Sequence, residues 1–262
     1  MLKDKPLVSV IMNCHNGSKF LKQSVNSVIS QTYKNWELIF WDNVSQDESI
    51  KIISQFPDSR IKYFKSEKFN TLYKSRNLAI QKAKGEFISF LDTDDMWQKD
   101  KLEKQMNFFS KNKDYEIVYS NYYILNELKK KKFIVFKKVF SSGIIFDELL
   151  KSYTIGIITI CLRRSIFKDF FFNDNFDIIG DFDLFLKLSE NKKIGYMHDV
   201  LAVYRVHKSN LSKKKIDQYA NEFQTWINEN KDRKKYKGNL KYIKLYALKL
   251  KLKTFFYKFL GM

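Results

Sequence analysis

The chain opens on an alternation of two hydrophobic patterns. Leu7 to Met12 reads LVSVIM, a short apolar run of the kind that forms a buried strand. Ser18 to Ser30 then carries Phe20, Leu21, Val25, Val28 and Ile29 at helical spacing. The alternation continues with a strand-like run at Trp36 to Trp41 (WELIFW), a helix-like stretch from Gln46 to Ser54, a strand at Ile61 to Phe64, a helix at Thr71 to Ala83 and a strand at Phe87 to Leu91. Strands separated by helices of this length predict an α/β fold, a mostly parallel sheet flanked by helices with right-handed crossovers. Beyond residue 100 the rhythm changes. A helix is expected at Leu102 to Phe109, and strands at Glu116 to Leu125 and Phe133 to Phe136 on either side of a loop at Lys129 to Lys132. A buried strand at Ile155 to Leu162, an amphipathic helix at Asp181 to Ser189 and a strand at Val200 to Val206 follow.

Three of these strands end in polar residues that could carry chemistry. Asn13 to Asn16 follow the first, Asp42 and Asn43 the second, and Asp92 to Asp95 (DTDD) the fourth. Ligands of open parallel sheets bind beyond the carboxyl ends of the strands, so these positions converge on one predicted site. Neither G-x-G-x-x-G nor G-x-x-x-x-G-K occurs, and the chain has only 8 glycines, so phosphate binding by a glycine-rich loop is not expected. The carboxylates instead suit Mn2+ or Mg2+ held against a diphosphate, because these hard ions take oxygen ligands. Such an ion would also offset the repulsion within DTDD.

Charge separates the tail from the rest. Residues 205 to 262 hold 16 Lys or Arg against 4 Asp or Glu, a balance of +12 out of the chain's +19. An anionic partner is implied, a membrane face or a nucleic acid. From Asn239 on, Leu245, Leu248, Leu252, Phe255 and Phe259 share a helical stripe flanked by Lys244, Lys249, Lys251, Lys253 and Lys258. This is the pattern of an interfacial helix, although LKLKLK at 248 to 253 also alternates as a strand does. Nucleic acid fits less well, since it leaves the carboxylates at three strand ends unexplained. The two cysteines, Cys14 and Cys161, lie in apolar segments and read as packing residues of a reducing compartment. No signal peptide and no membrane span are read from the sequence.

Four segments in this order resemble the family 2 glycosyltransferases of GT-A fold, a Rossmann-like architecture, over roughly residues 6 to 212. They are VSVIMNCHNGSKFLKQSVNSVISQTYKNWELIFWDNVSQD, SRNLAIQKAKGEFISFLDTDDMW, GDFDLFLKL and YRVHKSNLS. The resemblance divides the chain into a catalytic domain, residues 1–212, and a basic helical extension, residues 213–262. It implies metal-dependent, inverting transfer of a sugar from a nucleotide-sugar, expected to be a UDP-sugar, to a hydroxyl of a saccharide or lipid-linked saccharide in cell-surface polysaccharide or lipopolysaccharide assembly. The expected location is cytoplasmic, peripheral on the inner face of the membrane. Residue by residue, it implies that Asp181 is the catalytic base, with Asp183 a supporting or acceptor contact. Asn13, His15, Asn16, Asp42, Arg76, Asp92 and Asp94 are implied around the nucleotide, and Asp94, Asp95 and His207 around the metal. Three positions depart from the family pattern: Asn43 replaces a second Asp, His15 a base-stacking aromatic, and Gly180 an acidic residue before the base. An imidazole can still stack on a base. A sugar nucleotidyltransferase also places carboxylates on a parallel sheet, but NCHNGSKF is a poor match to the Gly-rich basic loop expected after its first strand.

Overall fold

The computed structural model describes residues 5–236 and 240–259, with side chains to residue 252. β1 (Val8–Cys14) and β2 (Trp36–Asp42) are buried along almost their whole length, as apolar runs in the middle of a parallel sheet must be. β3 (Ile61–Lys65) pairs with β2, and β4 (Phe87–Phe90) with β1, all parallel. Between them α1 (Ser18–Ile29) buries Leu21, Val25 and Val28, the i, i+4, i+7 face read from the sequence. α2 (Ser49–Ser54) is short, and α3 (Leu72–Ile80) starts at Thr71, whose side chain caps the helix by accepting from Lys74 N.

The second half departs from the parallel pattern. β5 (Met96–Trp97), α4 (Lys101–Lys111), β6 (Ile117–Asn126), β7 (Lys131–Ile134), α5 (Phe146–Lys151) and β8 (Cys161–Arg163) precede α6 (Gly180–Ser189) and β9 (Ile194–Val206). The sheet order is β3-β2-β1-β4-β8-β6-β9-β5, with β7 on β6. β8 runs antiparallel to β4 and β6, while β6 and β9 are parallel to each other, so the sheet is mixed. Two local expectations change. The predicted strand at 155–162 is a 3-10 turn over Ile157–Thr159, closed by Thr159 Oγ1 donating to Gly156 O, and only its end extends into β8. The lysine run forms only part of the loop: Lys129 and Lys130 lie in the turn, Lys130 with φ 49°, whereas Lys131 and Lys132 pair within the β6/β7 ladder.

The chain ends in α7 (Leu211–Lys214), α8 (Ile216–Asn230) and α9 (Leu240–Phe259). Phe223, Trp226, Tyr236, Ile243 and Leu250 join the same buried cluster as β1. α9 is therefore apolar on two sides. Leu240, Ile243, Ala247 and Leu250 pack inward, whereas Leu245, Leu248 and Leu252 are about half exposed on the opposite side. Phe255, Phe259, Lys253 and Lys258 of the expected stripe lie outside the described side chains. Among the described residues, no helix is long and apolar enough to cross a membrane. Cys14 and Cys161 are buried and unpaired, as packing residues. Lys101 is fully buried: its ammonium donates to Gln105 Oε1 at 2.8 Å and Ser89 Oγ at 3.2 Å. Burial pushes its pKa down to about 7.

Candidate active site

A cleft of about 700 Å³ opens beyond the carboxyl ends of β1, β2 and β4 and is closed by α3, α6 and the segment after β9. It brings together eight of the residues expected there: Asn13, His15, Asn16, Arg76, Asp92, Asp94, Asp181 and His207. Asp42 and Asp95 are not in its lining. Asp42 is fully buried, with Oδ1 accepting from Ser45 N at 3.0 Å and Oδ2 from Tyr63 Oη at 3.3 Å.

The loops after β1 and β2 are joined side by side. Asn16, in the left-handed region at φ 54°, accepts from Gln46 N at 2.8 Å, and Ser45 Oγ accepts from Asn16 N. Val44 has φ 60°, an uncommon conformation for a β-branched residue and one that concentrates at functional loops. His15 Nδ1 donates to Asn43 O at 2.9 Å, and its ring meets Phe69 edge-on at 4.7 Å. Phe69 is 60% exposed, so the pair forms an aromatic wall with one free side. Asn43, in place of the usual Asp, clamps the backbone of Asn70 from both its amide atoms, at 2.8 and 3.0 Å. Asn13 presents an amide whose buried Oδ1 and Nδ2 both lack a protein partner, a group suited to a ligand.

Each carboxylate of DTDD has a different partner. Asp92 accepts from Arg76 Nη2 at 2.6 Å, and Arg76 is only 2% exposed. Asp94 accepts from His207 Nε2 at 2.9 Å and from Asn210. Ser209 N–H donates to His207 Nδ1, so the imidazole hydrogen sits on Nε2, facing Asp94. Asp95 is buried, one oxygen accepting from Arg205 N at 2.7 Å and the other unpartnered. Burial, and then the charges of Asp94 and Asp92, hold its pKa well above the usual carboxylate range.

This arrangement alters the expected metal set. Among the described residues no group of three His, Cys, Asp or Glu side chains is placed to hold an ion. Asp95 is turned into the core, and His207 has both ring nitrogens engaged, so Asp94, Asp95 and His207 do not form a coordinating trio. The donors that do face the cleft, Asp92 and Asp94, still fit a Mg2+ or Mn2+ that takes one or two carboxylates and fills its remaining positions with water and phosphate oxygens.

Asp181 lies in the first turn of α6, with Oδ1 2.9 Å from Tyr73 Oη. Burial raises its pKa, and the charge of Arg76 and the Tyr73 hydroxyl moderate the rise. Asp183, expected to support it or touch the acceptor, faces away. It is 1% exposed, accepts from Trp226 Nε1 at 2.9 Å and from Lys187 Nζ at 2.7 Å, and so ties α6 to α8. The helical period accounts for this, since residues two apart on a helix point to different sides.

Several contributors were not found from the sequence. Glu222 of α8 accepts from the backbone N–H groups of Asp177, Ile178 and Ile179 at 2.9 to 3.1 Å, capping the entry to α6 with a carboxylate. Arg205 donates to Asp94 O at 2.8 Å, pairs with Glu127 and lies over the Phe20 ring, which fixes the acidic loop. Arg205 stands inside YRVHKSNLS, a usable signal. Glu222, Phe69 and Tyr73 have none in local pattern.

Residues 9–171 match the family described as Glycosyl transferase family 2. The chain is 35% identical over 217 residues to the Escherichia coli UDP-Glc:alpha-D-GlcNAc-diphosphoundecaprenol beta-1,3-glucosyltransferase WfgD, covering 82% of this chain and 83% of that protein. A second Escherichia coli glucosyltransferase of the same description, WfaP, is 36% identical over 81% of this chain and 82% of its own length. Among solved structures, S. aureus TarS 1-349 in complex with UDP-GlcNAc superposes with a TM-score of 0.70 at 18% identity, over 86% of this chain and 66% of that one. The Pyrobaculum calidifontis mannosyltransferase PcManGT, in complex with GDP-Man and Mn2+, superposes with a TM-score of 0.65 at 16% identity, over 94% of this chain and 69% of that one. At these identities the two structures speak to the fold alone, which this chain shares with them. The extent of the sequence match goes further, and the chain belongs to glycosyl transferase family 2.

Proposed function

We propose that this glycosyltransferase moves a hexose from a UDP-sugar to a hydroxyl of a lipid-linked saccharide, with inversion at the anomeric carbon, during assembly of a cell-surface polysaccharide. The observation that carries the reading is the meeting, in one cleft, of an acidic loop, an aromatic wall and a separate carboxylate at a helix start. The base of the nucleotide fits against His15 and Phe69, and the unpartnered amide of Asn13 offers it or its ribose a hydrogen bond. The diphosphate fits toward Asp92 and Asp94. A Mn2+ or Mg2+ held there would neutralise charge on the departing diphosphate. Asp181 accepts the proton of the acceptor hydroxyl as that oxygen attacks. A carboxylate whose basicity is raised by burial suits this task. The donor and the diphosphate-linked acceptor follow the names of the two Escherichia coli relatives.

The exposed apolar stripe of α9 supports attachment to the inner face of the cell membrane. Leu245, Leu248 and Leu252 lie beside Lys241, Lys244, Lys249 and Lys251, an interfacial pattern on the side of the helix that the core leaves uncovered. This location suits an acceptor that is itself held in the membrane.

The nucleotide reading is tested by calorimetry of UDP binding with Mn2+, with EDTA, and in Asp94→Ala. Affinity is expected to collapse in the last two conditions. Equal UDP affinity in all three would exclude a metal-bridged diphosphate at this loop.

A further inference from the structure

We propose that Tyr73 is the residue that positions the base Asp181, and that glycine at 180 is what makes room for it. The inference rests on the reading of Asp181 as the base. A Cβ built on Gly180 would lie 2.5 Å from the Cγ and Cδ2 atoms of the Tyr73 ring, a distance real Cβ contacts do not show. The ring cannot easily retreat. It is 2% exposed, packs against Phe172 at 5.2 Å between centroids, and carries the Arg76 guanidinium 5.1 Å away on its face. Its hydroxyl lies 2.9 Å from Asp181 Oδ1 and 3.0 Å from Ile178 O. Gly180 and Tyr73 are thus one unit: the absent side chain on α6 is replaced by a phenol arriving from α3.

This placement has a chemical consequence. The phenol has one hydrogen to donate and two acceptors in reach. Donated to Asp181 Oδ1, it favours the carboxylate and fixes the carboxyl plane, leaving Oδ2 for the acceptor hydroxyl. When Asp181 has taken the acceptor's proton, the Tyr73 hydrogen can turn to Ile178 O without any bond to a heavy atom breaking. Tyr73 itself does not ionise in this range, because burial raises its pKa far above that of a free phenol. Around Asp181 the other titratable groups are Arg76 and Asp92 on one side and the buried phenols of Tyr122, Tyr153 and Tyr219 on the other. Those phenols are pushed up as well and stay neutral, so the charges that bear most on Asp181 are those of Arg76 and Asp92.

The test is Tyr73→Phe, which keeps the ring against Gly180 and removes only the hydroxyl. Turnover is expected to fall about 10- to 100-fold, the size of one hydrogen bond to a charged group. Donor KM should stay within about twofold, since the nucleotide contacts lie elsewhere, and the acid limb of the kcat profile should move to higher pH, because the carboxylate has lost a donor that favoured its charged form. A purely structural tyrosine would not move that limb. Gly180→Ala gives a second route. It should impair turnover in the Tyr73 background but add little loss when Tyr73 is already Ala, where the clash is gone. Unchanged turnover and an unchanged acid limb in Tyr73→Phe, or equal effects of Gly180→Ala in both backgrounds, would overturn the proposal. Asp181→Asn separates the two readings: if it is inactive while Tyr73→Phe is normal, only the role of Tyr73 falls, whereas an active Asp181→Asn removes the base itself.

Discussion

Replacing Glu222 by Ala probes whether the C-terminal helices are part of the catalytic architecture. Glu222 sits on α8, 41 residues beyond Asp181 in sequence, yet its two oxygens receive the backbone N–H groups of Asp177, Ile178 and Ile179 where the chain enters α6. Asp177 and Ile179 are buried, at 8% and 1% exposure, so water cannot readily take the place of the lost acceptor there. A buried donor left unpaired costs about 1 to 3 kcal/mol, and loss of a helix cap about 0.5 to 2 kcal/mol by itself. With partial access of water to Ile178, a net destabilisation of about 3 kcal/mol is expected, or about 6 to 12 °C in Tm for a chain of this size. Movement of the first turn of α6 would also displace Asp181. A shift near 1 Å at a reacting group can cost about 100-fold in rate. Thermal unfolding and steady-state transfer are measured together, with UDP affinity as a control that should hold, because Asp94 and His15 are untouched. A Tm within 2 °C of wild type together with normal transfer would refute the capping argument.

The remaining expectations concern pH and the membrane. The folded pKa of Lys101 is lowered to about 7 while its unfolded value stays near about 10.4, so between these values the folded chain binds fewer protons and stability rises with pH, by up to about 1.4 kcal/mol per unit. Lys101→Met removes this slope: its stability relative to wild type should be greatest at pH 6 and fall from pH 7 to 9, and an equal difference in unfolding free energy at both ends would contradict the assignment. Replacing Leu245, Leu248 and Leu252 together by Glu should abolish co-sedimentation with anionic liposomes while leaving Tm nearly unchanged. Deleting residues 239 to 262 is not an equivalent test, because it also removes the buried Ile243, Ala247 and Leu250. Undiminished liposome binding by the triple variant would exclude the stripe.

What could be read from the sequence follows the range of the interactions involved. β1, β2 and β4 were legible because buried parallel strands are continuous apolar runs, and the polar residues after them mark the cleft with no knowledge of topology. The helical period also locates α6, and the same period puts Asp183 on a different side of the helix from Asp181. The antiparallel insertion of β8 was not legible, since a three-residue strand carries no period of its own. Tyr73 and Glu222 act across separations of 108 and 43 to 45 residues, where local pattern holds no information. The Lys-rich tail illustrates a further limit. Its lysines and leucines suggested an interfacial helix, but only the packed structure separates the stripe that meets α8 from the stripe that faces solvent.

If Asp181 is the base of a UDP-sugar transfer, Asp181→Asn removes its basicity while keeping its size. Transfer from UDP-glucose to a diphosphate-linked saccharide and UDP binding are measured on the same preparation. Transfer should fall by about 10² to 10⁴, the range for loss of a general base. UDP affinity should remain within a few-fold, and Tm should not fall, because an amide replaces a carboxylate whose charged form burial disfavours. Near-normal transfer by Asp181→Asn would contradict the claim.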